Sequence, residues 1–310
     1  MQYNSRPSWF VIVNPHAGNG KAEKKWPIIR QYLDQHLILQ DVFFTREPGD
    51  ASTIARKLAA EGKKYIIGVG GDGTNFEIVN GLFSQSVTPP SDIVYALLPV
   101  GTGNDWIRHH GIPKQLEPWV AMVQQAKTIR QDVGYIDCDG MPRKFFMNVC
   151  GMAYDAFVVK YLQPWRRWIQ HPLIYMLGIL RCLYLYQLPL ARIQLDNEDP
   201  ITTRTYTINA GICRFSGGGL QIVPHAIATD GQLAVTIAPE LSKLEVLRNT
   251  PRFYSGTIHQ HPKIIARQVR QLQVDPAANE EIWVEADGEL LGKAPVTIGI
   301  LPAALNIVVP

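Results

Sequence analysis

Between Trp9 and Gly103 the chain repeats one pattern: a short apolar run, a polar or glycine-rich stretch, then an amphipathic stretch. Trp9–Val13 ends in Asn14-Pro15, after which Gly18, Gly20 and Lys21 lead into a helical stretch to about Gln35. Val42–Phe44 ends at Thr45, and Asp50 is the expected N-cap of a helix that runs through Ile54, Leu58 and Ala59 to a stop at Gly62. Tyr65–Val69 enters the turn Gly70–Gly73 and a helix over Thr74–Leu82; Ile93–Leu98 enters a second turn at Gly101–Gly103. Apolar strands alternating with helices predict a parallel sheet covered on both faces. Such sheets bind ligands beyond the carboxyl ends of their strands. Asn14, Thr45 and the two glycine turns all fall at those ends, so four features are expected on one rim.

The pattern changes after about Lys127. Short strand-like runs follow at Arg143–Val149, Ala191–Leu195, Tyr206–Ala210, Leu233–Ile237, Ile282–Ala286 and Val296–Ile300. Asp139-Gly140, Asp230-Gly231 and Asp287-Gly288 supply turns between several of them. This predicts an antiparallel β domain, a sandwich, interrupted by a helical insertion over about Asp155–Tyr186. The expected fold class is therefore α/β plus β. A doubly wound nucleotide-binding domain over 1–128 precedes a β-sandwich domain over 129–302. The run Leu305–Val309 makes 303–310 a candidate completion of the first domain. Two domains also suit 310 residues at roughly 100–200 per domain.

Composition narrows the class. With 46% hydrophobic and 18% charged residues the chain is globular rather than disordered. A net charge of +3 is too small to suggest a nucleic-acid partner by itself, and none is expected. Cys138, Cys150, Cys182 and Cys213 have no C-x-x-C spacing, which argues against zinc ribbons and redox motifs and for buried thiols in a reducing compartment. Met1–Ser8 lacks the layout of a signal peptide. From Pro172 to Ala191 the only charge is Arg181, yet its central position and the flanking prolines favour a buried or surface-docked helix over a spanning one.

Gly70-Gly71-Asp72-Gly73-Thr74 follows an apolar strand and opens a helix. Glycines let main-chain amides approach phosphate oxygens, and the helix start adds partial positive charge. Asp72 would repel a bare phosphate, and it makes sense if a divalent cation lies between the two. Gly68, Gly70 and Gly73 formally satisfy G-x-G-x-x-G, but they follow the third strand and no acid ends the next strand, against the dinucleotide pattern. Gly18–Lys21 superficially matches a P-loop but has Pro15 at the first glycine position and Ala22 at the hydroxyl position. A single such turn reads equally well as a tight turn; several on one rim favour phosphate binding. In Gly101-Thr102-Gly103-Asn104-Asp105, Thr102 offers a hydroxyl, while Asp105 alone reads better as a charge at a helix start.

These residues resemble the diacylglycerol kinase catalytic family, which includes bacterial lipid kinases, sphingosine kinase and ceramide kinase. Its GGDGT turn is shared with NAD kinase and 6-phosphofructokinase. The resemblance runs in order through Asn14-Pro15-His16-Ala17-Gly18, Gly70–Thr74, Glu77–Leu82, Leu98–Asp105, Ser216–Gly219, Ile222-Val223-Pro224, Thr229-Asp230-Gly231 and Asp287-Gly288-Glu289. It implies ATP and Mg2+ as cofactors. ATP would be held by Asn14, Pro15, His16, Ala17, Gly18, Thr45, Gly70, Gly71, Asp72, Gly73, Thr74, Asn75, Phe76, Glu77, Thr102, Gly103, Asn104 and Asp105. It implies Glu289 as general base, with Asp72 and Asp287 as further catalytic acids; these two and Asp105 match the water-and-metal network at the cleft. A magnesium ion would be held by Asp230 with the carbonyls of Ile227 and Gln232. The family often has a polar residue directly before the glutamate after GGDGT; here Phe76 stands there and Asn75 is displaced by one. Trp106 replaces the usual Phe.

Phosphoryl transfer needs positioning, charge neutralisation and a carboxylate to take the hydroxyl proton. Asp287 and Glu289 stand two apart across a glycine. Spacing alone favours an exposed hairpin tip; the family order favours two acids in an interdomain cleft that closes to exclude water. Trp165-Arg166-Arg167-Trp168 joins aromatic and basic groups suited to a lipid surface, or else packs its tryptophans inward. The expectation is a cytoplasmic, membrane-peripheral lipid kinase. The rivals are a kinase for a soluble acceptor such as NAD or a sugar phosphate, and a non-catalytic lipid- or nucleotide-binding regulator.

Overall fold

The computed structural model describes residues 7–165 and 172–310. The chain forms two compact units, Met1–Val133 with Pro302–Pro310, and Gly134–Leu301. Of the Trp165–Trp168 segment, Arg166 onward and the side chain of Trp165 lie outside the described residues.

The first unit comprises β1 (Ser8–Val13), α1 (Ala17–His36), β2 (Ile38–Phe44), α2 (Asp50–Ala60), β3 (Tyr65–Gly70), α3 (Asp72–Phe83), β4 (Val94–Pro99), α4 (Asp105–His110), α5 (Leu116–Gln125) and the start of β5 (Thr128–Cys138). The strands pair in parallel in the order β4-β3-β1-β2. Val11, Ile12 and Val13 are consecutive and fully buried. Successive strand side chains point to opposite faces, so both faces of this sheet are covered. The helices hold on by shape as well as by apolar area. Gly81 of α3 sits so close to α2 that a Cβ there would stand 2.2 Å from the Ser52 carbonyl oxygen.

Two boundaries differ from the sequence expectation. Gly49, not Asp50, is the N-cap of α2, because the chain turns there through a left-handed conformation that glycine tolerates. Asp50 is the first helical residue, and its carboxylate accepts the amides of Arg46 and Glu47. The helix after the first glycine turn begins at Asp72 rather than Thr74, so Asp72 and Gly73 already belong to its first turn.

The second unit is mainly antiparallel. It contains β6 (Lys144–Phe146), β7 (Val149–Ala153), α6 (Tyr154–Leu162), α7 (Pro172–Leu185), β8 (Leu190–Leu195), β9 (Ile201–Gly211), β10 (Phe215–Ser216), β11 (Leu220–Gln221), β12 (Leu233–Pro239), α8 (Lys243–Ser255), β13 (Ile265–Val269), β14 (Gln271–Pro276), β15 (Trp283–Ala286), β16 (Glu289–Lys293) and most of β17's first half (Val296–Val308). Strand β9 serves two layers. Its first residues pair with β8 and lead on to β14 and β17, while its later residues lie between β7 and β12. A strand that changes partners along its length joins the two layers of a sandwich. Helices α6, α7 and α8 pack on an apolar cluster that includes Tyr154, Val158, Leu162, Cys182, Leu183, Tyr206 and Leu241.

The expected strand Arg143–Val149 is two strands, broken at Met147-Asn148, where main-chain amides turn to the Asp287 carboxylate instead of a neighbouring strand. The expected insertion is likewise two helices, α6 and α7. Helix α8 was not read from the sequence, although Ser242 and Glu245 form a reciprocal capping box at its start. Strand β17 ends in the first unit, pairing in parallel with β4 at Asn306↔Val94 and Ile307↔Tyr95. No helix among the described residues is long and apolar enough to cross a membrane.

Replacing Gly81 with Ala should separate α2 from α3 and lower unfolding stability by about 1–3 kcal/mol. The check is the urea midpoint, which should fall with little change in slope; an unshifted midpoint would show that this contact yields freely.

Candidate active site

Parallel register brings the strand ends of the first unit to one edge. Val13 lies opposite Val69 and Phe44, and Gly70 opposite Pro99. Asn14, Thr45, Gly71 and Val100 therefore leave the sheet side by side. Hydrogen bonds tie these exits together. The Asn14 amide donates to the Val69 carbonyl (3.0 Å), the Thr45 amide to Val13 (2.9 Å) and the Val100 amide to Gly70 (2.8 Å). Asn14 Nδ2 donates to Thr74 Oγ1 at 3.0 Å, and Asn14 Oδ1 accepts the His16 amide at 3.0 Å.

The glycines explain how the turns come so close. A Cβ on Gly101 would stand 2.5 Å from the Gly71 α-carbon, and one on Gly71 would stand 2.9 Å from the Gly101 α-carbon. Gly18, with Asn19 and Gly20, has a left-handed conformation inside the first turn of α1. A Cβ on Gly18 would meet the Val100 carbonyl oxygen at 2.3 Å. Three loops thus approach one another to main-chain contact.

Asp72 is clamped at this junction. Its Oδ2 accepts the Asn104 amide at 2.7 Å, and a Cβ on Gly103 would touch the same oxygen. Its Oδ1 is buried without a hydrogen-bond partner, as is Oδ1 of Asn104. Burial first, and the neighbouring Asp105 charge second, push the Asp72 carboxyl above its ordinary value, against the opposing pull of the Asn104, Asp105 and Trp106 amides. Thr102 is exposed beside it. Asn75 and Phe76 are buried. Glu77 points elsewhere: its two oxygens accept the amides of Gly49 (2.9 Å) and Ala51 (3.2 Å) at the start of α2.

The acids of the second unit have distinct surroundings. Asp230 Oδ1 accepts the Gln232 amide at 3.0 Å and Oδ2 accepts Gln268 Nε2 at 2.9 Å, while Ile227 is half exposed. Asp287 and Gly288 both have positive φ, the conformation of a tight two-residue hairpin between β15 and β16. Asp287 Oδ1 accepts the amides of Asn148 and Val149, and Oδ2 that of Met147, each at 3.1 Å. Glu289 opens β16 and is partly buried.

Sequence reasoning passed over two further acids here. Glu285 on β15 is 4% exposed, and Asp155 opens α6. Burial pushes both carboxyls above their ordinary value, Glu285 strongly so with the Asp155 charge adding to it. The available signal was an acid at an inward position of an otherwise apolar strand, Trp283-Val284-Glu285-Ala286.

A nucleotide-type α/β unit with acid-bearing glycine turns, followed by a β-sandwich unit, defines the class of two-domain kinases. Residues 8–136 match the family described as diacylglycerol kinase catalytic domain, and residues 148–309 match the YegS C-terminal NAD kinase beta sandwich-like domain. A diacylglycerol kinase of Mycobacterium tuberculosis is 30% identical over 303 residues, covering 97% of this chain and 94% of that protein. A diacylglycerol kinase of Staphylococcus haemolyticus is 25% identical, covering 97% and 87%. A crystal structure of a diacylglycerol kinase from Bacillus anthracis superposes with a TM-score of 0.73 at 20% identity, covering 99% and 98%, which shows a shared fold. The chain belongs to the diacylglycerol kinase family of lipid kinases.

The raised Asp72 carboxyl carries a stability consequence. An ionised acid whose folded value is raised destabilises the fold above that value, and the penalty disappears as pH falls through it. Asp72→Asn keeps an acceptor for the Asn104 amide and removes the charge. It should raise the melting temperature at pH 8, at about 2–4 °C per kcal/mol gained. The gain should shrink toward pH 5. A lower melting temperature at both pH values would contradict this electrostatic account.

Proposed function

We propose that this kinase transfers the terminal phosphoryl group of ATP to a hydroxyl of a diacylglycerol-like lipid. The supporting observation is Asp72, a buried acid with an unpartnered oxygen where three main-chain loops meet. Glycines that leave no room for side chains suit a phosphate cradle, and two repelling acids, Asp72 and Asp105, suit a divalent cation. ATP and magnesium therefore fit the residues present. Asn14–Gly18, Thr45, Gly70–Thr74 and Thr102–Asp105 would hold the nucleotide, with Asp72 and Asp105 toward its cation. Asn75 and Phe76 would support that loop from within, and Glu77 would do so through α2. A second cation would be held by Asp230 with the carbonyls of Ile227 and Gln232. When bound, magnesium offsets phosphate charge and ATP supplies the transferred group.

The chain's own chemistry is proton handling and placement. Asp287 has both oxygens engaged by amides, so its role in the reaction is to hold the turn. Glu289, on the strand leaving that turn, takes the proton from the acceptor hydroxyl.

A lipid acceptor is supported by the outer sides of α7 and α8. Leu177, Leu180, Tyr184 and Leu185 on α7 and Leu244, Leu247 and Tyr254 on α8 are exposed. Lys243 of α8 donates to the Tyr184 carbonyl oxygen and lies over its ring, so the two apolar stripes adjoin. Arg181, Lys243 and Arg248 are exposed beside them. Apolar side chains rimmed by bases suit an anionic lipid surface, which supports a peripheral, membrane-docked reading.

Glu289→Ala should abolish transfer of radiolabel from ATP to dioleoylglycerol while ATP binding persists; label appearing in NAD instead of lipid would favour a soluble acceptor. Leu244→Glu with Leu247→Glu should reduce sedimentation with phosphatidylglycerol vesicles several-fold, and undiminished sedimentation would remove the docking face.

A further inference from the structure

A row of polar side chains crosses the sheet of the second unit behind the Asp287-Gly288-Glu289 turn. Glu285 lies opposite Gly151 in the β15–β7 pair, Gly151 opposite Asn209 in the β7–β9 pair, and Asn209 opposite Thr236 in the β9–β12 pair. Asn209 is 1% exposed and its Oδ1 has no hydrogen-bond partner. Gly151 makes the row possible. A Cβ there would stand 2.4 Å from Glu285 Oε1 and 3.2 Å from Asn209 Oδ1, so both oxygens face the same small space. No Lys or Arg hydrogen-bonds to or pairs with Glu285 or Asp155 among the described residues.

The donors and acceptors run in one direction. The Gly288 amide donates to Glu285 Oε2 at 2.9 Å. Asn209 Nδ2 donates to Thr207 Oγ1 at 3.1 Å, and Thr207 Oγ1 donates to Asp155 Oδ2 at 2.8 Å. One link is missing, a donor for Asn209 Oδ1. A Glu285 carboxyl protonated at Oε1 would supply it, and burial pushes that carboxyl well above its ordinary value, toward the neutral form. The chain would then read Gly288, Glu285, Asn209, Thr207, Asp155, with the Thr207 hydroxyl shared between Asp155 Oδ2 (2.8 Å) and the Met152 carbonyl oxygen (3.2 Å).

We infer that Glu285 is a positioning residue for phosphoryl transfer: through Gly288 on one side and Asn209, Thr207 and Asp155 on the other, it fixes the turn from which Glu289 acts. This rests on the lipid-kinase reading for its kinetic consequence, but not for its structural one. Asp287 anchors the same turn from the other direction, through the amides of Met147, Asn148 and Val149. The two acids flanking Ala286 thus hold one hairpin at two points.

The test compares Glu285→Gln with Glu285→Met. Glutamine reproduces the neutral acid, accepting from Gly288 and donating to Asn209; methionine keeps the volume and does neither. With radiolabelled ATP and dioleoylglycerol in mixed micelles, Glu285→Gln should keep kcat within about threefold, while Glu285→Met should lower it about tenfold or more with KM for ATP unchanged. Thr207→Val should give a smaller loss in the same direction, and adding it to Glu285→Met should cause little further loss, because the chain is already broken. Hydrogen exchange of the 285–290 amides should quicken in Glu285→Met and not in Glu285→Gln. If the wild-type protein labels no lipid, the acceptor reading fails and the exchange result alone decides the positioning. Equal damage from Gln and Met would overturn the inference by showing that the negative charge is what matters. Unchanged kcat and exchange in Glu285→Met would overturn it as well.

Discussion

Contact between main chain and main chain at Gly71 and Gly101 is the constraint on which the strand-end rim of the first unit depends. Two neighbouring parallel strands, β3 and β4, end in register, and their loops leave the sheet within van der Waals reach. Side chains at either position would separate them. With none, Asp72 reaches across from the start of α3 to the Asn104 amide before α4, and Gly18 closes in from the loop after β1. The geometry of the turns is therefore a property of the sheet register, and the acids are placed by the turns.

The same chain repeatedly uses carboxylates to gather main-chain amides. Asp287 collects three, Glu77 holds two at the start of α2, and Asp196 holds those of Arg270 and Gln271. Asp132 accepts the amide of Ala303. Amides engaged in this way are satisfied where a strand or helix cannot satisfy them, at breaks and bends. This explains why β6 and β7 are separate strands and why Pro302-Ala303 can sit within β17. It also separates acids that shape loops from acids available for chemistry. An ionised acid that already accepts two or three amides is held in one orientation, and proton transfer demands more of it than of an acid without that anchoring.

The alternation of apolar runs with glycine turns was enough to read the α/β unit and its rim, because buried parallel strands leave a strong hydrophobic signal. Helix boundaries were less legible. Gly49 displaced Asp50 as the cap of α2 because a left-handed turn outweighs a side-chain cap. Strand breaks were hidden, since nothing local at Met147-Asn148 announces a partner at Asp287, far along the chain. Glu285 and Asp155 were missed for a related reason. Glu285 stands in an otherwise apolar strand, a signal that was available, while Asp155 reads as a helix start. The pairing of β15, β7 and β9 shows Glu285 facing Asn209 across Gly151, and the Thr207 hydrogen bond brings Asp155 to the same row.

Burying acids without cations destabilises a fold unless hydrogen bonds or neutralisation offset the lost hydration. Here the two units do so differently. At Asp72 burial and the neighbouring Asp105, itself paired with Arg108 at 3.7 Å, push the carboxyl up, and one oxygen is left without a hydrogen-bond partner. At Glu285 burial drives the carboxyl toward its neutral form, which would complete the inferred chain of hydrogen bonds to Asn209. Burial pushes both carboxyls toward their neutral form, but Asp72 also faces a second acid at a glycine turn, whereas Glu285 faces a row of polar side chains. An ionised Glu285 would face Asn209 Oδ1 as one acceptor against another.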